Sequence, residues 1–562
     1  MRQVRSVVVV VPLLVLLVSV GSNGFAAFEL PAGERITNLP HIPRAIPQKE
    51  AYEIYDPVIG RNFDLKNFWM RADLRIRPEW RNGTCFGGGA PVGGACNVFN
   101  PTTGAARANA GKSANDFYVH HWARLGIGYD LSREVNFYFE IIDSANWGSN
   151  GNPVNAGNGG DPLNHACGVA TGPPTGGQGC RLGVRAAYML VRNLGGVQGL
   201  SMKVGRQYVV FGNHSLFGHF DWANTGYSHD GIFFQYGSQA LDTYVGWFRN
   251  AETDLVQAAP VGSLGPNVAG AGPNRPDGSA DADMFLFYNQ IKAVPGFIIE
   301  PYYVLYINNM HEAVNAGMGV GTPKHASQVR HMLGNRLEMR KGNWDFVNET
   351  AWQFGRMADG IGADNTRNLT INAWATRNWL GYTVYQHEWK PRVAIGFDYA
   401  SGDGNANCAA NNSGNQLVAP SASAGFTCKT ANTFENFYPT NYLHAGYMLN
   451  HAWKNQIQPQ VNLQARPTKR DHVEFWGQMH YLASARDNWY RGAQGVLVFS
   501  AANNTSNHVG EEIDLSWTHM FADGKVSLTA TWGHFFVGSY VRNNLGTDTD
   551  QDWGMVQLWM NF

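Results

Sequence analysis

From Asn67 to Arg81 the chain alternates almost without a break. Phe68, Met70, Ala72, Leu74, Ile76 and Trp80 are apolar at even positions, and Arg71, Asp73, Arg75, Arg77 and Glu79 are charged at odd ones. Successive side chains of a strand point to opposite faces, so this run presents one oily face and one ionised face. An oily face that suits lipid, backed by a charged face that needs water, is what a strand of a membrane-spanning barrel requires. The same rhythm returns from Phe117 to Tyr129, where Phe117, Val119, Ala123, Leu125, Ile127 and Tyr129 alternate with Tyr118, His120, Trp122 and Arg124. It returns again from Ile457 to Arg466, with Ile457, Pro459, Val461, Leu463 and Ala465 set against Gln458, Gln460, Asn462, Gln464 and Arg466.

The compartment follows from the first residues. Arg2 and Arg5 precede an apolar run from Val7 to Val20, and the small-residue site Gly24-Phe25-Ala26 follows it. This is the pattern of a secretory signal peptide, with cleavage expected after Ala26. No later segment approaches the roughly 18 apolar residues of a spanning helix, so any membrane crossing must be made by strands. A hydrophobic fraction of 44% with 65 glycines and a mean hydropathy of −0.28 suits a barrel in which every second strand residue faces water. No Pro/Ser tract divides the chain. The expected organisation is a signal peptide over 1–26, a periplasmic N-terminal segment over 27–66 and one outer-membrane barrel over 67–562. A formal net charge of −1 gives no basic excess for nucleic acid.

Dyad segments recur about eighteen times, starting near Asn67, Asn115, Glu134, Leu182, Leu200, Asp230, Leu241, Asp283, Phe297, Val329, Trp344, Asn368, Pro391, Gln456, Val473, Val509, Lys525 and Asp552. The expected fold is therefore all-β: a transmembrane antiparallel barrel of about eighteen strands. Short turns such as 130–133, 467–471 and 521–524 alternate with long stretches such as 148–181, 252–282 and 401–450. Short periplasmic turns and long extracellular loops are the rule for such barrels. The last strand ends on Phe562 behind Val556, Leu558 and Met560, as expected of a terminal strand read by the barrel-assembly machinery. Six cysteines fall into near neighbours, Cys85 with Cys96, Cys167 with Cys180 and Cys408 with Cys428, all in the long stretches. In an oxidising compartment an even count reads as three local disulfides. Zinc is the competing reading, but there is no CxxC and only His165 lies nearby.

Three runs carry a family resemblance. Val204-Gly205-Arg206-Gln207, then Phe217 to Gly226 including Trp222 and Asn224, then His229-Asp230-Gly231, resemble the GRQ…G-x-x-x-W-x-N…F-D-G signature of alginate-export family porins. Tyr399-Ala400-Ser401-Gly402-Asp403 resembles that family's Y-A-S-G-D strand end, and Thr433 to Thr440 resembles the segment after it. The chain departs from the pattern at His229, where the family has an aromatic residue. The resemblance implies an eighteen-stranded monomeric barrel with an arginine-rich constriction through which a polyuronate passes outward.

Alternation also assigns the lumen. Arg71, Asp73, Arg75 and Arg77 are expected to face inward with Arg124 and Arg185, as are Arg330, Arg336, Glu338 and Arg340, and also Lys203, Arg392 and Arg466. Each of these cations on the lipid face near the midplane would cost about 2–4 kcal/mol. Guanidinium forks match carboxylates two bonds at a time, and interleaved acids keep single sites weak enough to release cargo. Plain charge bracing of a wet wall is the competing reading. Arg206 falls on the lipid side by strict alternation unless Gly205 forms a bulge, so its facing stays open.

Gly111-Lys112-Ser113 ends like a phosphate loop, but Ala106 stands where its first glycine belongs. No GxSxG, HExxH or CxxCH occurs, so no enzyme or haem barrel is indicated and no cofactor or metal is assigned. The acidic runs at Asp277/Asp281/Asp283 and Asp548/Asp550/Asp552 read as solvated turns before calcium sites. The chain is expected to be a passive channel for an anionic cargo: export of an acidic polysaccharide with periplasmic secretion partners, or alternatively uptake of small anions.

Overall fold

The computed structural model describes residues 67–87, 115–147, 182–222, 226–251, 282–308, 328–357, 369–404, 430–492, 496–498 and 504–561. The expected signal peptide and N-terminal segment, Asn224 and Cys96, Cys167, Cys180, Cys408 and Cys428 lie outside these residues, and so does the expected cysteine pairing. Cys85 is itself disulfide-bonded.

Eighteen long strands form the wall: β1 (Phe68–Asn82), β2 (Asp116–Asp130), β3 (Val135–Asn146), β4 (Leu182–Arg192), β5 (Leu200–Gln207), β6 (His229–Gly237), β7 (Leu241–Ala251), β8 (Ala282–Ile291) and β9 (Phe297–Asn308). They continue with β10 (Gln328–Lys341), β11 (Trp344–Met357), β12 (Leu369–Thr383), β13 (Arg392–Ala400), β14 (Gln456–Ala465), β15 (Asp471–Tyr481), β16 (His508–Phe521), β17 (Val526–Val537) and β18 (Gln551–Asn561). Every predicted start lies within two residues of the observed one. Each strand pairs antiparallel with the next, and β18 returns to β1, Leu74 facing Met560 and Trp80 facing Gly554. Closure leaves no edge strand among the described residues, which is what a sheet surrounded by hydrocarbon requires.

The wall obeys the alternation. In β1, Asp73, Arg75, Arg77 and Glu79 are buried inside while Met70 and Trp80 are exposed outside. One break matters: between β3 and β4 the register shifts so that Ile141 pairs with Val184 and Glu140 with Ala186. Arg185 is the extra residue of a bulge, and both it and Ala186 turn inward. Exposed aromatics gather at both rims, Trp344, Tyr382, Trp517 and Phe521 towards the short turns and Trp80, Trp247, Trp352 and Trp374 towards the long loops. These are the girdles that seat a barrel at its two interfaces.

Two of the long loops fold inward. In its described residues (208–222 and 226–228) the β5–β6 loop buries Val209, Leu216, Phe217, Phe220 and Trp222, and in its described residues (401–404 and 430–455) the β13–β14 loop buries Phe434, Phe437, Tyr447 and Trp453. They meet in the interior, where Gly218 N–H donates to Tyr438 O at 2.8 Å and Tyr438 N–H to Leu216 O at 3.0 Å. A short helix α1 (Ser539–Leu545) in the β17–β18 loop and Trp489 of the β15–β16 loop pack into one cluster with Phe86, Phe535 and Trp553.

A loop carboxylate held between wall arginines

β1, β2 and β4 bring four cations to one level of the interior, because their inward positions lie side by side: Asp73 is opposite Arg124 and Arg75 opposite Trp122. The β5–β6 loop answers them. Arg124 Nη1 donates to Asp221 Oδ2 at 3.1 Å and Arg185 Nη2 to Asp221 Oδ1 at 3.0 Å. Arg75 donates to the Asp221 carbonyl, and Arg77 Nη1 to the Trp222 carbonyl at 2.8 Å. Arg124 also grips Asp73 through Nε at 2.9 and 3.0 Å, Arg77 pairs with Glu79 at 2.6 Å, and Arg71 lies 3.9 Å from Asp73. The indole of Trp122 sits under both Arg75 and Arg124, and that of Trp222 under Arg77. Stacking on an aromatic face suits guanidinium, which is weakly hydrated and planar. Burial alone would push the Asp221 carboxyl up, but the charges of His219, Arg124 and Arg185 outweigh it and hold it far below the usual range.

A second set lies across β9 to β13. Arg336 pairs with Glu300 and Glu338, and Arg377 Nε donates to Asp398 Oδ2 at 2.6 Å. Arg377 also reaches Ser215 Oγ at 3.0 Å and lies 4.4 Å over the Trp453 ring, so one wall side chain touches both inward loops. Arg330 binds Gln328 and Gln353. Lys203 is buried over Tyr188, Arg392 pairs with Asp345 at 2.8 Å, and Arg340 is half-buried near the short-turn end. Arg466 departs from the expectation: β14 ends at Ala465 and Arg466 is exposed in the turn. Pro467 follows it and supplies no N–H to carry the ladder on.

In this structure the arginines are held in pairs, the arrangement that the competing reading of charge bracing describes. The guanidiniums of Arg75, Arg77, Arg124, Arg185, Arg336 and Arg377 are buried under loops or neighbouring acids, since a buried charge must be paired to be tolerated. Asp221, Glu300, Arg377 and Asp398 were not singled out by sequence reasoning. For Asp221 the available signal was the density of aromatics in 208–228, unusual for a loop meant to face solvent; for Glu300, Arg377 and Asp398 it was the same alternation, since all three lie on strands.

The motif residues are structural. Gly205 has φ +119°, and a Cβ there would stand 2.2 Å from Ala187 O, so only glycine lets β5 lie this close to β4. Gln207 is buried and donates to Gly231 O, while Gly231 leaves no room before Trp247 O. Arg206 faces outward and pairs with Asp230 at 2.8 Å, which settles its facing. Ser401 joins three segments: its Oγ donates to Asn432 O, and its carbonyl accepts from Phe434 and Asn455. Gly402 packs against Asn455. Asp403 accepts from Asn432 N–H and donates its own N–H to Asp487. The Tyr399–Asp403 run thus fastens both ends of the inward β13–β14 loop.

Asp487, in the β15–β16 loop, also accepts from Thr433 Oγ1 and Tyr490 OH. Burial pushes its carboxyl up to about 6. Between the ordinary aspartate value of about 3.9 and that value, the folded chain keeps a proton that an unfolded chain has released. Stability from this group therefore falls as pH rises through the window and is level above it. Asp487→Asn is expected to flatten the pH 4–6 slope of the thermal midpoint, checked by melts across pH 4–7.

A closed eighteen-strand barrel with an oily belt, two aromatic girdles and a charged interior defines an outer-membrane channel of the porin type, not an enzyme. The description "Alginate export" fits residues 179–555. The chain belongs to that family. Among solved structures it is similar to the Pseudomonas aeruginosa porins OccK11 (OpdR), at 10% identity over 88% of this chain and 96% of that one with a TM-score of 0.44, and OccK5 (OpdH), at 10% over 88% and 98% with 0.45. A BenF-like porin from Pseudomonas fluorescens Pf-5 is similar at 11% identity over 88% and 98%, with a TM-score of 0.44. No curated protein matches.

Proposed function

We propose that this channel passes an acidic polysaccharide outward, as a monomer assembled by the barrel-assembly machinery and fed by periplasmic secretion partners. The observation that carries the reading is the Asp221 carboxylate, bound by Arg124 and Arg185 at 3.0–3.1 Å over a floor of Arg75 and Arg77. The wall already performs carboxylate recognition on its own loop, and a uronate presents the same group. Cargo enters this set by taking the place of Asp221, so passage goes with displacement of the β5–β6 loop. The Trp122 and Trp222 rings lie under these guanidiniums and help to set the plane they present to a carboxylate.

Planar-bilayer conductance tests this. The purified protein is expected to prefer anions and to be blocked by polyuronate from the periplasmic side. Replacing Arg75, Arg77, Arg124 and Arg185 together by glutamine should abolish the block and reverse the preference. Block by small organic anions but not by polymer would favour the uptake channel instead, and cation preference in the unmodified protein would sink both.

A further inference from the structure

One row of charges lies on the outer, lipid-facing side of the wall. Arg206 on β5 is opposite Asp230 on β6, Asp230 is opposite Arg249 on β7, and Arg249 is opposite Asp283 on β8. Four neighbouring strands thus present alternating signs at one level. Arg206 pairs with Asp230 and Arg249 with Asp283, each at 2.8 Å, and Trp247 Nε1 donates to Asp283 at 3.0 Å. The side chains of Arg206 and Asp230 are 38% and 60% exposed, those of Arg249 and Asp283 29% and 19%.

The rows beneath contrast with it. Two residues down, the same strands present Val204, Ile232, Trp247 and Phe285, and two further down Met202, Phe234, Val245 and Phe287. All four charges sit at the long-loop end of their strands, so the change from apolar to charged marks where hydrocarbon gives way to the extracellular headgroup layer. A charge at that depth costs little by itself, so insertion does not require the four to be matched. The row has spare capacity as well: Arg206 uses Nε for Val184 O and Nη1 for Asp230 Oδ2, leaving its Nη2 and Asp230 Oδ1 without partners among the described residues.

We propose that this row docks the phosphate-bearing headgroup of the outer-leaflet glycolipid. Guanidinium forks fit phosphate oxygens, and an exposed carboxylate beside them can share a divalent cation with the same phosphate. Docking on β5–β8 engages the strands on either side of the β5–β6 loop, and so steadies the wall next to the inward segment without entering the lumen.

The test uses the full chain in micelles of an uncharged, phosphate-free maltoside detergent with magnesium, doped with phosphorylated lipid A or with the same lipid after phosphatase treatment. The phosphorylated lipid should raise the unfolding midpoint, followed by tryptophan fluorescence, by about 3 °C or more, and the dephosphorylated lipid should not. The double variant Arg206→Gln with Arg249→Gln should lose the rise, and Arg206→Lys with Arg249→Lys should retain part of it. Asp230→Asn should remove the part that depends on magnesium. Equal rises with both lipids, or a full rise in the folded glutamine variant, overturn the proposal. Should the glutamine variant not fold, the comparison of the two lipids on the unmodified chain decides alone.

Discussion

Asp221→Ala is expected to release the β5–β6 loop from the wall, at a cost of about 3–5 kcal/mol for a buried ion pair broken from one side. The loss is large because two guanidiniums, Arg124 and Arg185, share that one carboxylate. It is also local. The wall ladder from β4 to β6 does not depend on Asp221, and Arg124 keeps Asp73. Limited proteolysis should therefore cut within 208–228 in a barrel that still runs as folded on a cold denaturing gel, and single-channel conductance should rise. A protected loop with unchanged conductance would mean that the Asp221 carboxylate is not what holds it. Acid does not imitate the substitution. The folded value of Asp221 is depressed, so its contribution is complete above the ordinary aspartate value of about 3.9 and is lost only as pH falls through the far lower folded one. The loop should stay docked at pH 4.

The wall was legible in the sequence and the interior was not, for a physical reason. Lipid on one side and charge on the other force a two-residue period, and that period fixes strand starts and facings one residue at a time. Arg75, Arg77 and Arg124 were assigned by it, and so was Trp122. Arg185 came out inward although the alternation fails there, because the bulge sends both Arg185 and Ala186 inside. The loops have no such period. Whether 208–228 lies over the barrel or within it depends on contacts with β12 and with 432–455, hundreds of residues away, such as Phe220 N–H to Thr440 Oγ1 at 3.1 Å. The motif glycines pointed to the right places for another reason than chemistry on cargo: Gly205, Gly231 and Gly402 each allow a close approach that fixes where the inward loops leave and rejoin the wall.

Arg377 is the second residue on which those loops converge, and Arg377→Met is expected to be among the most damaging single changes in the wall. Both Arg377 and Asp398 are wholly buried, so removing the cation leaves a carboxylate with neither water nor counter-charge, a loss of about 3–5 kcal/mol. The hydrogen bond to Ser215 and the contact with the Trp453 ring go at the same time. Arg377→Lys keeps the charge but not the planar fork, so it should fall between the two. The double change Arg377→Leu with Asp398→Leu removes both charges, and should recover most of the folding free energy while leaving the loops less firmly held. Urea titration of the heat-shifted gel band separates these effects from each other. A double variant no more stable than Arg377→Met would show that shape at β12 and β13, not the buried pair, is what the wall needs there.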